Sequence, residues 1–527
     1  MINSKKVAVM AAVSALGFGS AAPVQAQNLT MAVGAQVTSL DPHYHALSPN
    51  LAVATMLFDT LTQFDSESRL EPGLAESWKP VEPTVWEFKL RPGVKFHNGN
   101  EFTADDVAFT IARVPTVPNS PSSYAIYTRA IDRVEIVDPL TVRFHTRSPY
   151  PLLPTDLGQI AILDKETHEN GTTEEFNAGK LAVGTGPFRY SNFRSGDRLE
   201  LERNDAYWGE KPHWARVNYR ILPNDASRTA ALLAGDVDFI DQVPTSDITA
   251  LRRNDKVRLA EKDGLRIIFL ALDHQHPEGS PQITGNDGKP LDKNPLRDLR
   301  VRQALSIGIN RQGIVDRVMQ GVGTPAGQMM PPGALGYNPN IAVPKYDPDA
   351  AKKLLADAGY PNGFRITLHG PNDRYMNDAR IIQAVGQMWT RIGVHTAVEA
   401  QPFTTFIARA GRGETSAHLM GLAATTGEAA TMLRSLVATQ NREAGMGASN
   451  RGRYSNPALD AKLAEAMRTL DNGRREALLQ DATRIMAEDQ ALIPVHIQKN
   501  AWAMRRNLTI DARADEYTRA QDVRPAE

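Results

Sequence analysis

The chain has 527 residues, 59 lysines and arginines against 60 aspartates and glutamates, and no cysteine. This length allows two or three domains with hydrophobic cores, and the near-zero net charge without a basic block offers no electrostatic surface to nucleic acid or anionic lipid. The lack of cysteine excludes disulfides, thiolate metal sites, cysteine nucleophiles and a lipid-anchored cysteine.

The first 26 residues have the pattern of a secretory signal peptide. Lys5 and Lys6 precede an apolar segment at residues 7–18, and Val24 and Ala26 are small residues at the −3 and −1 positions of a cleavage site. The apolar segment is too short to span a membrane. We therefore expect cleavage after Ala26 and export of a soluble periplasmic protein without a lipid anchor.

Strand-like and helix-like segments alternate along the rest of the chain, which favours an α/β architecture. In the first half, the pattern predicts a strand at residues 29–33, a hairpin at residues 134–145 and a helix at residues 226–234 that ends at Gly235. Residues 274–294 are rich in Gly, Pro, Asp and Lys, and they predict a long exposed loop.

The second half contains a predicted βαβ unit. It consists of a strand at residues 364–368, a helix that starts at Asp378 and ends before Gly393, and a strand at residues 394–398. Such a unit implies parallel strands with a right-handed crossover. Residues 418–422 form the next predicted strand.

Two loops of this region are candidate ligand-binding loops on pattern alone. In open α/β sheets, ligands bind beyond the carboxyl ends of the strands. Residues 370–376 and 423–428 each follow a predicted strand, and both strands flank the same βαβ region. We therefore expect the two loops to lie close together.

Several segments occur in the order and spacing of one protein family, from about residue 29 to about residue 500. They are Leu57-Phe58-Asp59-Thr60-Leu61, Pro72-Gly73-Leu74-Ala75-Glu76-Ser77-Trp78, Trp86-Glu87-Phe88-Lys89-Leu90-Arg91-Pro92-Gly93-Val94-Lys95-Phe96-His97-Asn98-Gly99, Phe102-Thr103-Ala104-Asp105-Asp106-Val107, Gly184-Thr185-Gly186-Pro187-Phe188, Arg203-Asn204-Asp205-Ala206-Tyr207-Trp208 and Leu299-Arg300-Val301-Arg302-Gln303-Ala304-Leu305. Together they resemble family 5 of the bacterial extracellular solute-binding proteins, the class that serves ABC importers of peptides, opines and nickel.

The resemblance implies a type II periplasmic-binding-protein fold, cluster C-like, with two α/β lobes that close on a ligand around a hinge. It implies a first lobe from residues 27–265 plus 492–527, with an extra subdomain, and a second lobe from residues 266–491. Residues 265–271 and 491–502 would cross the hinge. The expected partners are a membrane permease and its ATPase, and the expected state is a monomer.

The resemblance also carries a carboxylate-binding residue to this chain. In relatives that bind dipeptides, an arginine in the first loop grips the peptide carboxylate, and Arg374 matches that position. The chemistry fits, because a guanidinium can hold a carboxylate through two charge-assisted hydrogen bonds. The alternative is an ordinary ion pair with Asp373 or Asp378. Tyr375 and Asp373 are further ligand-binding candidates of this loop.

The second loop departs from the dipeptide-binding pattern. Dipeptide binders place a tryptophan and then an aspartate here, and the aspartate holds the α-ammonium group. This chain has no tryptophan there, and Thr425 stands at the aspartate position, where it cannot neutralise a charge. Glu428 could substitute or could cap a helix. We therefore expect a carboxylate ligand whose other end is less cationic or bulkier, with Tyr44 and His45 as first-lobe contacts.

Other function classes have less support. The chain lacks a G-x-S-x-G elbow and an H-E-x-x-H helix, so we predict neither an enzyme nor a cofactor. Two H-x-H pairs, His43/His45 and His274/His276, suggest a possible pair of metal ligands each. Because no third ligand is spaced nearby, we predict no metal site. Binding of a metal chelate and a chaperone-like binding of peptides stay open as alternatives.

Overall fold

The computed structural model describes residues 28–424, 426–441 and 443–526. The predicted signal peptide at residues 1–26 and the candidate residue Thr425 therefore lie outside the described residues. No helix in the described part of the chain combines the length and apolar character needed to cross a bilayer.

The strands are numbered in chain order. They are β1 (Asn28–Val33), β2 (Thr62–Phe64), β3 (Leu70–Pro72), β4 (Ala75–Glu82), β5 (Val85–Leu90), β6 (Ile131–Asp138), β7 (Thr141–Thr146), β8 (Phe188–Arg194), β9 (Arg198–Arg203), β10 (Arg216–Ile221), β11 (Phe239–Ile240), β12 (Val257–Leu272), β13 (Ile283–Thr284), β14 (Gly323–Pro325), β15 (Phe364–Pro371), β16 (Val394–Gln401), β17 (Ala417–Ala423), β18 (Leu492–Arg505), β19 (Leu508–Ile510) and β20 (Val523–Pro525).

The α-helices alternate with these strands. They are α1 (Ser48–Leu57), α2 (Ala104–Arg113), α3 (Ala125–Thr128), α4 (Leu153–Leu157), α5 (Lys165–His168), α6 (Thr173–Asn177), α7 (Asp225–Ala234), α8 (Thr245–Arg252), α9 (Leu299–Ile307), α10 (Arg311–Arg317), α11 (Pro348–Asp357), α12 (Asp378–Arg391), α13 (Phe403–Gly411), α14 (Ala429–Leu436), α15 (Pro457–Ala466) and α16 (Asn472–Glu488).

One large sheet organises the molecule. Its strand order is β13-β15-β17-β12-β18-β11-β1-β10-β9-β8, with β14 paired to β18 and β16 paired to β15. We call β1 and β8–β11 the first strand group, and β13 and β15–β17 the second strand group. A separate sheet of order β4-β5-β7-β6 forms an additional layer in the first half of the chain.

The two long strands β12 and β18 connect the strand groups. Residues 257–263 of β12 pair with residues 499–505 of β18, whose end joins β11. Residues 266–272 of β12 pair with β17, and the register to β18 shifts between Asp263 and Ile267. This topology agrees with two crossings at the predicted hinge segments, and the lobe boundaries themselves stay a prediction.

The predicted local elements are present with modest shifts of their ends. β15, α12 and β16 form the βαβ unit with parallel strands, and β17 lies parallel to β15. Gly235 ends α7 in the left-handed conformation at φ 85°, which a glycine adopts without steric conflict. The loop predicted at residues 274–294 differs in one respect, because β13 forms within it and pairs with β15.

Each strand group packs against its own cluster of buried apolar side chains. Trp389 of α12 and Leu368 of β15 are buried in the core of the βαβ region, whereas Phe239 of β11 belongs to the core of the first strand group. A third core is shared by the four-stranded sheet and by helices α14–α16, so it joins the two halves of the chain. Burial of large apolar side chains in several cores is the main force that stabilises such a fold.

Candidate functional site

A cleft of about 840 Å³ lies where the two strand groups meet. The second strand group contributes residues 372–380, which follow β15, and β18 contributes residues 498–502. The first strand group contributes residues 241–246, which follow β11. The cleft therefore lies beyond strand ends, where the α/β pattern places a ligand.

Hydrogen bonds to acidic side chains shape the loop after β15. Asp378 Oδ2 accepts the backbone N–H groups of Arg374 at 3.0 Å and of Tyr375 at 2.9 Å. Asp373 Oδ1 accepts the N–H of Phe403 at 2.7 Å, and the buried Tyr375 hydroxyl donates to the Gly421 carbonyl at 3.0 Å. These bonds hold the loop so that Arg374 projects into the cleft.

The guanidinium of Arg374 forms no ion pair with a carboxylate in the described part of the chain. Asp373 and Asp378 accept hydrogen bonds from backbone N–H groups, and neither forms an ion pair with Arg374. Its Cζ atom lies 5.6 Å from the ring centre of Tyr375 and 5.5 Å from that of Phe403. The surrounding protein and the charge of Arg266 lower the pKa of Arg374, as expected for a cation without a partner.

A partly buried ion pair lies beside Arg374. Arg266, on β12, donates to Glu516 through two nitrogens, with Nε 3.0 Å from Oε2. Burial alone would raise the pKa of Glu516, but Arg266 outweighs this effect and holds the pKa below its usual value, with a smaller contribution from Arg374. Glu516 adopts φ 68°, an unusual backbone conformation for this residue type.

The two predicted first-lobe contacts, Tyr44 and His45, are not among the residues that line the cleft. His45 Nδ1 lies 3.0 Å from Thr38 Oγ1, and the carbonyl of Tyr44 accepts a hydrogen bond from the Ser120 hydroxyl. Burial lowers the pKa of His45. Ser48 and the segment at residues 241–246 line the cleft in place of Tyr44 and His45.

Glu428 is also occupied elsewhere. Both of its carboxylate oxygens lie 2.7 Å from Nη2 of Arg475, and the two side chains are 6% and 4% exposed. Glu428 precedes α14 but makes no side-chain cap bond, and it does not line the cleft. The expectation that it substitutes for an ammonium-binding aspartate is therefore corrected, because Arg475 already neutralises its charge and it is not among the residues that line the cleft.

Sequence reasoning missed several charged residues of the cleft, among them Asp241, Arg266 and Glu516. Asp241 follows a strand of only two residues, and Glu516 lies in a segment without regular structure, so neither has a recognisable local pattern. Arg266 interrupts the apolar run of β12. A charged residue inside such a run is the sequence feature that could have marked Arg266 as a candidate.

The H-x-H pairs do not gather into a common site. His43 is buried with Nε2 2.8 Å from the Ala161 carbonyl, whereas His45 contacts Thr38. His276 Nδ1 lies 2.9 Å from Asp273, whereas His274 packs edge-on against Tyr454. Among residues 28–424, 426–441 and 443–526, no group of three or more His, Asp or Glu side chains is arranged to hold a metal ion.

Comparison with known proteins identifies the family. Residues 69–444 match the bacterial extracellular solute-binding proteins, family 5 (middle region). The chain belongs to this family. It is 30% identical to heme-binding protein A of Haemophilus influenzae, over 84% of this chain and 82% of that protein. It is 29% identical to the glutathione-binding protein GsiB of Pectobacterium atrosepticum, over 93% of this chain and 92% of that protein.

Solved structures of family 5 proteins share the fold. The ABC transporter-associated periplasmic binding protein DppA from Helicobacter pylori, in complex with peptide STSA, matches with a TM-score of 0.79 and 26% identity. The match covers 95% of this chain and 98% of that one. The expected two-lobed periplasmic-binding-protein fold is thereby confirmed. Members of family 5 are periplasmic solute-binding proteins that work with the permease and ATPase components of ABC transporters.

Proposed function

We propose that this protein captures a small peptide-like solute with a free carboxylate in the cleft and delivers it to an ABC-type permease without changing it chemically. The observation that carries this proposal is the unpaired guanidinium of Arg374, which projects into the cleft between the strand groups. A ligand carboxylate would supply the missing anion through charge-assisted hydrogen bonds.

The dimensions of the cleft support a ligand of this class. Its volume of about 840 Å³ lies within the range of small-molecule sites, which accept ligands of peptide or cofactor size. Glutathione and the peptide STSA, which are named for two of the similar proteins, are both short peptides. We infer that a dipeptide or tripeptide is the appropriate first probe.

Capture would proceed by closure of two lobes, residues 27–265 plus 492–527 and residues 266–491. A solute that contacts Arg374 from one lobe and residues 241–246 from the other binds the closed form better than the open form, and it shifts the population accordingly. The closed form, as an exported monomer, would dock on the permease.

The test is calorimetric titration of the chain from residue 27 to residue 527 with alanyl-phenylalanine, its C-terminal amide and reduced glutathione. Arg374→Gln should weaken binding of the free acid by about 1.5–3 kcal/mol, or roughly 10- to 150-fold, because it removes a charge-assisted bond. Arg391→Gln is the matched control, since it makes the same charge change at the far, exposed end of α12.

Two results would count against the proposal. The first is equal binding of the free acid and the C-terminal amide. The second is an Arg374→Gln variant that binds the free acid as tightly as the Arg391→Gln control does. Either result would remove Arg374 from the site.

A further inference from the structure

Asp241 is a carboxylate in the cleft without a full counter-charge. It lines the cleft on the side of the first strand group and is only 6% exposed. Its Oδ1 accepts the N–H of Gly34 at 2.8 Å, and the nearest cationic nitrogen, Arg228 Nε, lies 3.9 Å from Oδ1. No hydrogen bond from a described residue reaches Oδ2.

The protein holds Asp241 in this position by a dedicated contact. Arg228, 1% exposed on α7, donates to the carbonyl oxygens of Asp241 at 3.1 Å and of Gln242 at 2.9 Å. Its guanidinium is thus committed to the backbone and also pairs with Asp225 at 2.8 Å. Gln242 adopts φ 44°, an unfavourable conformation for a residue with a side chain, and such conformations cluster at functional sites.

Asp241 and Arg374 line the cleft from different strand groups. The negative charge of Glu516 helps to raise the pKa of Asp241. The positive charge of Arg374 helps to lower the pKa of Glu516. Glu516 is already paired with Arg266, whereas Asp241 has only the 3.9 Å approach of Arg228, and Arg374 forms no ion pair in the described part of the chain. Burial raises the pKa of Asp241 to about 6, which leaves it ionised at neutral pH.

We propose that Asp241 binds the positively charged group of the solute, so that the cleft selects a zwitterion with its carboxylate at Arg374 and its ammonium at Asp241, in place of the less cationic ligand that the second loop led us to expect. This inference rests on the proposed function of the same cleft. One residue from each strand group then recognises one charge of the solute, Arg374 the carboxylate and Asp241 the ammonium group. A solute that carries both charges contacts both sides of the cleft at once.

The test uses three probes that differ at one end each: alanyl-phenylalanine, N-acetyl-alanyl-phenylalanine and alanyl-phenylalanine amide. Calorimetry at pH 7.5 should show the N-acetyl compound binding the unmodified protein at least ten-fold more weakly than the free dipeptide. Asp241→Asn should weaken binding of the free dipeptide at least ten-fold, but it should leave binding of the N-acetyl compound within about two-fold.

Asp236→Asn is the matched control. It makes the same charge change on an exposed residue just after α7 that does not line the cleft, so affinity for the free dipeptide should stay within about two-fold. An equal loss in both variants would show a general effect of charge, and it would overturn the assignment to Asp241.

The outcomes separate this inference from the proposed function. Equal binding of the free and N-acetyl dipeptides to the unmodified protein would overturn the role of Asp241, even if an Asp241 variant failed to fold. If the C-terminal amide still bound poorly in that case, the role of Arg374 would stand. Absence of binding for all three probes would overturn both proposals.

Discussion

Asp241 illustrates how a binding residue can reduce the stability of the fold that presents it. A buried carboxylate with one backbone hydrogen bond and a distant guanidinium loses more hydration than it regains in contacts. The raised pKa, about 6 against an ordinary value of 3.8, expresses this imbalance. The groups that face it are Arg228 of α7, which opposes the shift, and Glu516 of the C-terminal segment, which increases it.

Asp241→Asn should therefore stabilise the ligand-free protein at neutral pH. The folded protein binds the proton more tightly than the unfolded chain does, so the contribution of Asp241 to stability falls as pH rises from about 4 to about 6. We expect the variant to gain roughly 1–3 kcal/mol at pH 7.5 and to match the unmodified protein near pH 3.5. Thermal unfolding at both pH values measures this difference, and an equal difference at both would contradict the burial argument.

The contrast between Arg374 and Asp241 shows which of the residues that line the cleft the sequence could single out. Arg374 follows a regular strand in a βαβ unit, so periodicity located its loop, and the family resemblance selected the residue. Asp241 is surrounded by Gly34, which the pairing of β1 with β11 brings near from 207 positions away, and by Arg228 of the preceding helix α7. No local pattern encodes that environment.

At the scale of elements, the pair between Glu428 and Arg475 stabilises the packing of helices rather than a ligand. It joins the start of α14 to α16 within the core that both halves of the chain share. Burial raises the pKa of Glu428, and Arg475 opposes that shift. The sequence offered a helix cap or a ligand contact for Glu428, because an ion pair across 47 positions has no signature in the chain.

Arg475→Met should destabilise the protein by about 3–5 kcal/mol, because it leaves Glu428 charged and buried without a partner. The double variant with Glu428→Gln should recover much of this loss, since no uncompensated charge then remains. Thermal or denaturant unfolding gives the comparison, and affinity for alanyl-phenylalanine should be unchanged in the double variant. A weakened affinity there would return Glu428 to the ligand site.

At the scale of the whole molecule, the crossing of β12 and β18 links the cleft to the relative position of the strand groups. The family resemblance suggested crossings at residues 265–271 and 491–502, but it gave neither the length nor the pairing of β12 and β18, because long-range register depends on the assembled sheet. At the crossing, Asn500 donates to the carbonyl oxygens of Arg513 and Ala514, at 3.0 and 3.1 Å. It thus holds the segment that carries Glu516 into the cleft.

Gly264 lies at this crossing with no room for a side chain. A Cβ atom there would lie 2.6 Å from the Gln498 carbonyl oxygen and 2.9 Å from Asn500 Oδ1. Gly264→Ala should therefore push β18 and Asn500 away, lowering stability by about 1–3 kcal/mol and weakening peptide binding through the displaced Glu516. Gly411→Ala is the control, because nothing lies within 4 Å of its Cβ position. If Gly264→Ala lowered the melting temperature but left affinity for alanyl-phenylalanine intact, then the crossing would support the fold without shaping the cleft.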